Sequence, residues 1–99
     1  MISELDSEDT LTEAVGDEQV LVDFHAPWCG PCRQMEPVVE EFSEEAGVPV
    51  VKVDVDENPN TAEEFGIRSV PTFLAFDGGE QTGETVGTSS QSELEELFA

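Results

Sequence analysis

The net charge of the 99-residue chain is −21, from 24 acidic and 3 basic residues, and it limits what fold can form. A charge of that size usually goes with chains too polar to collapse, and self-repulsion opposes compaction in any case. Apolar content decides the matter. Leu, Ile, Val and Phe make up 26 of the 99 residues, above the roughly 20% below which a highly charged chain is expected to stay disordered. The chain is therefore expected to fold, and as one domain over residues 1–99, because two cores at this length would each be too small to stand alone. The charge also excludes partners. Three scattered cations, Arg33, Lys52 and Arg68, cannot form a phosphate-binding stripe, so no nucleic acid and no membrane surface is expected to bind. Self-repulsion is screened within ~8 Å at physiological salt and ~3 Å at 1 M. The acidity thus points to a halophilic protein, folded best in high salt, with an acidic mesophilic protein as the alternative. Met1 to Glu13 carries neither the basic stretch nor the apolar run of a targeting signal, and no segment is apolar for long enough to span a bilayer. A cytoplasmic location is the expectation. In that reducing compartment a cysteine pair is more often catalytic or metal-binding than structural, which directs attention to Cys29 and Cys32.

Short elements divided by Gly, Pro, Asn and Ser follow one another along the chain. Ser7 can cap a helix carrying Leu11, Ala14 and Val15 and ending near Gly16. Val20 to Phe24 reads as a strand. From Pro31, the residues Met35, Val38, Val39, Phe42 and Ala46 make a helical stripe that Gly47 closes, with Pro37 expected to kink it. Val50 to Val55, with four valines in six residues, reads as a central strand. A short helix starting at Asn58 or Asn60 runs through Phe65 and stops at Gly66. Thr72 to Phe76 and Gln81 to Val86 flank Asp77-Gly78-Gly79-Glu80, a hairpin turn. Ser90 and Glu93 form a capping box ahead of Leu94, Leu97 and Phe98. Strand, helix, strand, then hairpin and helix, imply an α/β fold: a central mixed β-sheet with helices on both faces.

The chemistry is expected at Trp28-Cys29-Gly30-Pro31-Cys32, directly after one strand and at the start of the long helix. A helix N-terminus presents unpaired N–H groups and a partial positive charge, which favour a thiolate at Cys29. Three residues on, Cys32 lies on the same side and within disulfide reach. Gly30 puts no side chain between them, and Pro31 has no N–H to leave unpaired in the first turn. A partly buried helix terminus supplies up to ~2 kcal/mol, nearly the difference between an ordinary thiol with a pKa of about 8.5 and an activated one at about 7.

With that motif the chain resembles the thioredoxin family over essentially its whole length, from Leu5 to Leu97. Val22-Asp23-Phe24, W-C-G-P-C, Lys52-Val53-Asp54-Val55-Asp56, Phe65-Gly66-Ile67-Arg68-Ser69-Val70-Pro71-Thr72 and Val86-Gly87 occur in the family's order. The thiol pKa of about 7 is the one known for thioredoxin itself, and so belongs to the family rather than to a measurement on this chain. The resemblance implies the thioredoxin fold and a protein-disulfide reductase, an electron-transport role in cell redox homeostasis. Cys29 would be the nucleophile and Cys32 the resolving thiol. No cofactor would be bound; the redox-active Cys29-Cys32 disulfide would itself carry electrons supplied by a thioredoxin reductase, and the partners would be that reductase and protein disulfide substrates, met by a monomer. Asp23 lies in the apolar run Leu21 to Phe24, where an ionised carboxylate is costly. Strand alternation sets it beside Leu21 and His25, beneath the active-site helix, and by resemblance it is the acid–base group for Cys32; a strand-edge carboxylate facing water is the alternative. Lys52, the only lysine, would tune Asp23 or else be a solvated strand lysine. Val70-Pro71-Thr72 resembles the family's loop with a cis proline facing the cysteines. Its backbone would pair with an extended substrate, and Trp28, Gly30, Pro31, Val70, Pro71, Val86 and Gly87 would bind it. Core packing is the alternative for Trp28 and for Val86.

The chain departs from the family pattern at His25, where an aromatic, usually tryptophan, is common. An imidazolium there would lower the Cys29 pKa; a surface ring with no role is the reading favoured. Three other readings of the cysteines remain. A zinc module lacks ligands, with one histidine and no second cysteine pair. A glutaredoxin- or isomerase-like enzyme of the same fold fits Gly30-Pro31 less well. The third is a non-catalytic acidic adaptor that retains the thiols.

Overall fold

The structure, a computed structural model, describes residues 1–99. In chain order its elements are β1 (Ile2–Glu4), α1 (Leu11–Val15), β2 (Val20–His25), α2 (Gly30–Ala46), β3 (Val50–Asp54), α3 (Pro59–Glu64), β4 (Thr72–Asp77), β5 (Glu80–Val86) and α4 (Gln91–Glu96). The strands form one sheet in the order β1-β3-β2-β4-β5. β1, β3 and β2 run parallel, while β4 is antiparallel to β2 and β5 to β4. The expected mixed sheet is present.

β2, β3 and β4 are buried on both faces because helices cover both, so they read as apolar runs rather than alternating ones. Val20, Val22, Phe24, Val51, Val53, Leu74 and Phe76 pack on one face with Leu11 and Val15 of α1, while Phe65 and Ile67 close the edge. Leu21, Val50 and Phe73 face the other way, onto Met35, Val39 and Phe42 of α2 and Leu94 of α4. Alternation along β2 therefore sends Asp23 toward α2, in register with Lys52 on β3 and Phe73 on β4.

Several local expectations need correction. Thr10, not Ser7, caps α1, its hydroxyl accepting the Glu13 N–H at 3.3 Å; only Leu11 and Val15 of that helix are buried, and Ala14 is exposed. In α2, Ser43 is buried, its hydroxyl accepting from the Met1 amino group at 2.8 Å, and Ala46 is exposed. Asn58 precedes α3, but its side-chain amide donates to the Asp54 carbonyl at 3.1 Å instead of capping. Strand β1 has no counterpart in the sequence reading: its three residues are all exposed and carry no alternation.

Other local readings hold. Gly78 and Gly79 take φ values of +64° and +84° in the hairpin, the left-handed region that makes a two-residue turn follow the strand twist. The Ser90–Glu93 box is made in both directions. Gly47 closes α2 in the left-handed conformation.

Candidate active site

β2 ends at His25 and α2 begins at Gly30, so the four residues between them turn the chain over the C-terminal edge of the sheet. Cys29 is the N-cap of α2, and its Sγ accepts the Cys32 N–H at 3.1 Å. In effect the sulfur occupies the position a serine or aspartate oxygen takes in an ordinary cap. A thiolate there would gain the same N–H and the positive end of the helix. Cys29 and Cys32 are joined in a disulfide with Cα atoms 5.3 Å apart. Both are buried, at 3% and 8% exposure, and they pack with Ala26, Val55 and Val70. Arg33 donates from Nη1 to the Pro27 carbonyl at 2.8 Å, which ties the loop before the cysteines to the first turn of α2.

Asp23 is 5% exposed and has its carboxyl pKa raised from the usual 3.8 to about 6. Burial is the main cause; the positive charges of His25 and Lys52 pull the other way, and Glu4 and Glu36 add to the rise. The strand-edge carboxylate in water is thereby set aside. Two adjoining hollows open beside it under α2. One, of about 130 Å³, is lined by Ile2, Asp23, Glu36, Val39, Glu40 and Lys52. The other, of about 370 Å³, is lined by Cys32 together with Glu4, His25, Arg33, Glu36 and Lys52. Lys52 is half-buried and lines both.

The Val70-Pro71 peptide is cis. Pro71 is fully buried, and its carbonyl accepts the Gly87 N–H at 2.8 Å. Val86 pairs with Thr72 in the β4–β5 ladder, so Val86 and Gly87 lie against this loop. Trp28 and Val86 are exposed at 68% and 58%, which overturns the core-packing alternative for both. The indole is held by a 2.9 Å hydrogen bond from Nε1 to Asp56 and flanks a groove of about 140 Å³ with Val55, Ile67, Arg68, Ser69 and Val70. Pro31 is exposed and Gly30 half-buried.

His25 is not the surface ring favoured from sequence. It is half-buried, its side chain 17% exposed, with Nε2 3.5 Å from the Glu4 carboxylate. Sequence reasoning also passed over Glu4, Glu36 and Asp56. Glu36 left a signal, being four residues beyond Cys32 on the same helix, and Asp56 closes the Lys52–Asp56 motif. No three His, Cys, Asp or Glu side chains are grouped closely enough to hold a metal ion.

The thioredoxin family model matches residues 3–99. A thioredoxin of Alicyclobacillus acidocaldarius is 48% identical over 91% of this chain and 93% of its own length. One from Synechocystis is 54% identical over 76% of this chain and 72% of its own. Among solved structures, a mutant thioredoxin from Halobacterium salinarum superposes with a TM-score of 0.88 at 40% identity, covering 97% of this chain and 86% of that one.

Proposed function

The chain belongs to the thioredoxin family, and we propose that within its disulfide-reductase chemistry Cys29 is the nucleophile, Cys32 the resolving thiol and Asp23 the acid–base group serving Cys32. The chain is a thiol–disulfide oxidoreductase that reduces protein disulfides. Its redox-active group is the cysteine pair itself, and electrons come from a thioredoxin reductase, as in the family generally.

The Cys29 thiolate attacks one sulfur of a substrate disulfide, forming a mixed disulfide and releasing the other substrate sulfur as a thiolate, which takes a proton. Asp23 accepts the proton of Cys32, and the resulting thiolate attacks Cys29 Sγ. The Cys29–substrate bond breaks, the Cys29–Cys32 bond forms, and the second substrate sulfur leaves as a thiolate. Two electrons have passed from the dithiol to the substrate. The observation that carries this reading is the N-cap geometry of Cys29, whose sulfur already accepts the Cys32 N–H. The raised pKa of Asp23, about 6, supports its part, because a base poised near neutrality can both take and return a proton. Lys52 tunes Asp23 from the adjoining strand. Trp28, Gly30, Pro31, Val70, Pro71, Val86 and Gly87 form the substrate rim.

The proposal extends to one domain over residues 1–99, a monomer working in the cytoplasm on partners identified by their disulfides. No helix is long and apolar enough to cross a membrane. The excess of 24 carboxylates over 3 cations supports adaptation to high salt. Replacing Cys32 with Ser leaves mixed disulfides on Cys29 unresolved. Such a variant is expected to retain disulfide-linked substrate proteins that a reductant releases; an empty trap from a folded variant refutes the assignment.

A further inference from the structure

His25 is the only histidine of the chain, and the mechanism above leaves it unused. Its placement is specific. Two residues beyond Asp23 on the same face of β2, its side chain stands about 7 Å along the strand from the carboxyl. Nε2 is buried without a hydrogen-bond partner and faces the Glu4 carboxylate at 3.5 Å. A buried imidazole nitrogen left unpaired needs a reason, and the Glu4 carboxylate that it faces supplies one, as the counter-charge for a positive charge at this position. The ring also lines the same 370 Å³ hollow as Cys32.

We propose that His25, held against Glu4, is a positioning residue for Asp23: its imidazolium keeps the carboxylate available to take the Cys32 proton and so sets the pH range of the resolving step. This rests on the assignment of Asp23 to Cys32. Charged groups face the ring from every element packed against it. β1 contributes Glu4, and β2 contributes Asp23. β3 contributes Lys52, and also Asp54, which lies opposite His25 in register. The Asp54 carboxylate is occupied by the N–H groups of Asp56 and Glu57 at 2.8 and 3.3 Å. α2 contributes Glu36 and Arg33, the latter tied to Pro27. Among these, Glu4 and Glu36 oppose ionisation of Asp23 and Lys52 favours it, so the imidazolium is the second positive charge that offsets two negative ones. It outranks Lys52 among the influences that hold the carboxyl down.

The test is single-turnover release of a chromophoric aryl thiolate from its mixed disulfide with Cys29, followed by stopped flow from pH 5 to 9 at one fixed KCl concentration. His25→Phe removes the charge, and the midpoint of the pH profile is expected to rise by between about 0.4 and about 1.7 pH units, the span for one charge ~7 Å away at effective dielectrics from 80 to 20. His25→Lys restores a permanent charge and is expected to bring the midpoint back to the parent value or below. His25→Gln, neutral and polar, replaces the Phe variant if that one does not fold. Midpoints that coincide in the parent, neutral and Lys proteins overturn the proposal. Asp23→Asn separates the two readings: a resolving rate unchanged by that substitution overturns the role of Asp23 itself, whatever the His25 variants do.

Discussion

Replacing Asp23 by Asn should stabilise the protein, and by an amount that depends on pH in a defined way. The carboxyl sits at 5% exposure in the layer between the sheet and α2, with its pKa raised from 3.8 to about 6, chiefly by burial. At 1.36 kcal/mol for each tenfold change in proton affinity, that rise corresponds to about 3 kcal/mol. The sign follows from proton counts. Between pH 3.8 and about 6 the folded chain holds a proton at Asp23 that the unfolded chain has lost, so stability falls as pH rises through this window. Below 3.8 the contribution is fully present; above 6 it is gone, and the buried charge is carried at its full cost. Asn keeps the shape and never ionises. Thermal unfolding of the oxidised protein at fixed molar KCl should therefore show no gain for Asp23→Asn near pH 3.5, a growing gain through the window, and a plateau above it. For a domain of this size, about 3 kcal/mol raises the midpoint by roughly 12 °C or more. A gain that is equal at pH 3.5 and pH 8, or absent at pH 8, would show that the carboxylate carries no burial cost, and the case for Asp23 as a poised base would fall with it.

Two further outcomes follow from the packing and the charge. Gly83 on β5 lies under the end of α4, where an added Cβ would come within 2.9 Å of the Leu97 carbonyl oxygen and 3.1 Å of its Cα; because backbone cannot swing aside, Gly83→Ala should cost about 1–3 kcal/mol, and a denaturation midpoint equal to the parent's would show that this seam is loose. The carboxylate field should oppose the Cys29 thiolate in dilute buffer. One charge at 10 Å in water contributes ~0.4 kcal/mol, or roughly twofold in thiolate population for each carboxylate screened, so alkylation of the reduced protein by neutral iodoacetamide at pH 7 should accelerate several-fold from dilute buffer to molar KCl, together with a rise in thermal midpoint. Rates and midpoints flat across that range would discard the high-salt reading.

The elements that local chemistry specifies were legible in advance. The W-C-G-P-C turn, the Gly78-Gly79 hairpin, the Gly47 stop and the Ser90–Glu93 box each depend on residues a few positions apart, and each is found in place. Local reading erred where two nearby residues could serve the same purpose. Thr10 caps α1 in preference to Ser7 because only Thr10 stands immediately before Leu11, whose burial decides where the helix begins. Asn58 does not cap its helix with its side chain; the amide joins its own backbone N–H on the Asp54 carbonyl, at 3.1 and 2.9 Å. Trp28 reads as part of the substrate rim with core packing as the alternative, and what holds it on the outside, Asp56, lies 28 residues away.

By itself the sequence determined the order of strands and helices from α1 onward, the two-sided burial of the central strands and the position of both cysteines at a helix start, since all of these depend on periodicity and on contacts within a turn. Only the tertiary structure decided the surroundings of Asp23. Its neighbours Glu4, Lys52 and Glu36 come from β1, β3 and α2, and β1 is a three-residue edge strand whose only specification is its pairing with β3, Glu4 opposite Lys52. An exposed three-residue segment carries no pattern of its own, so the charges that set one carboxyl's proton affinity were brought together by sheet register, a property of the assembled chain.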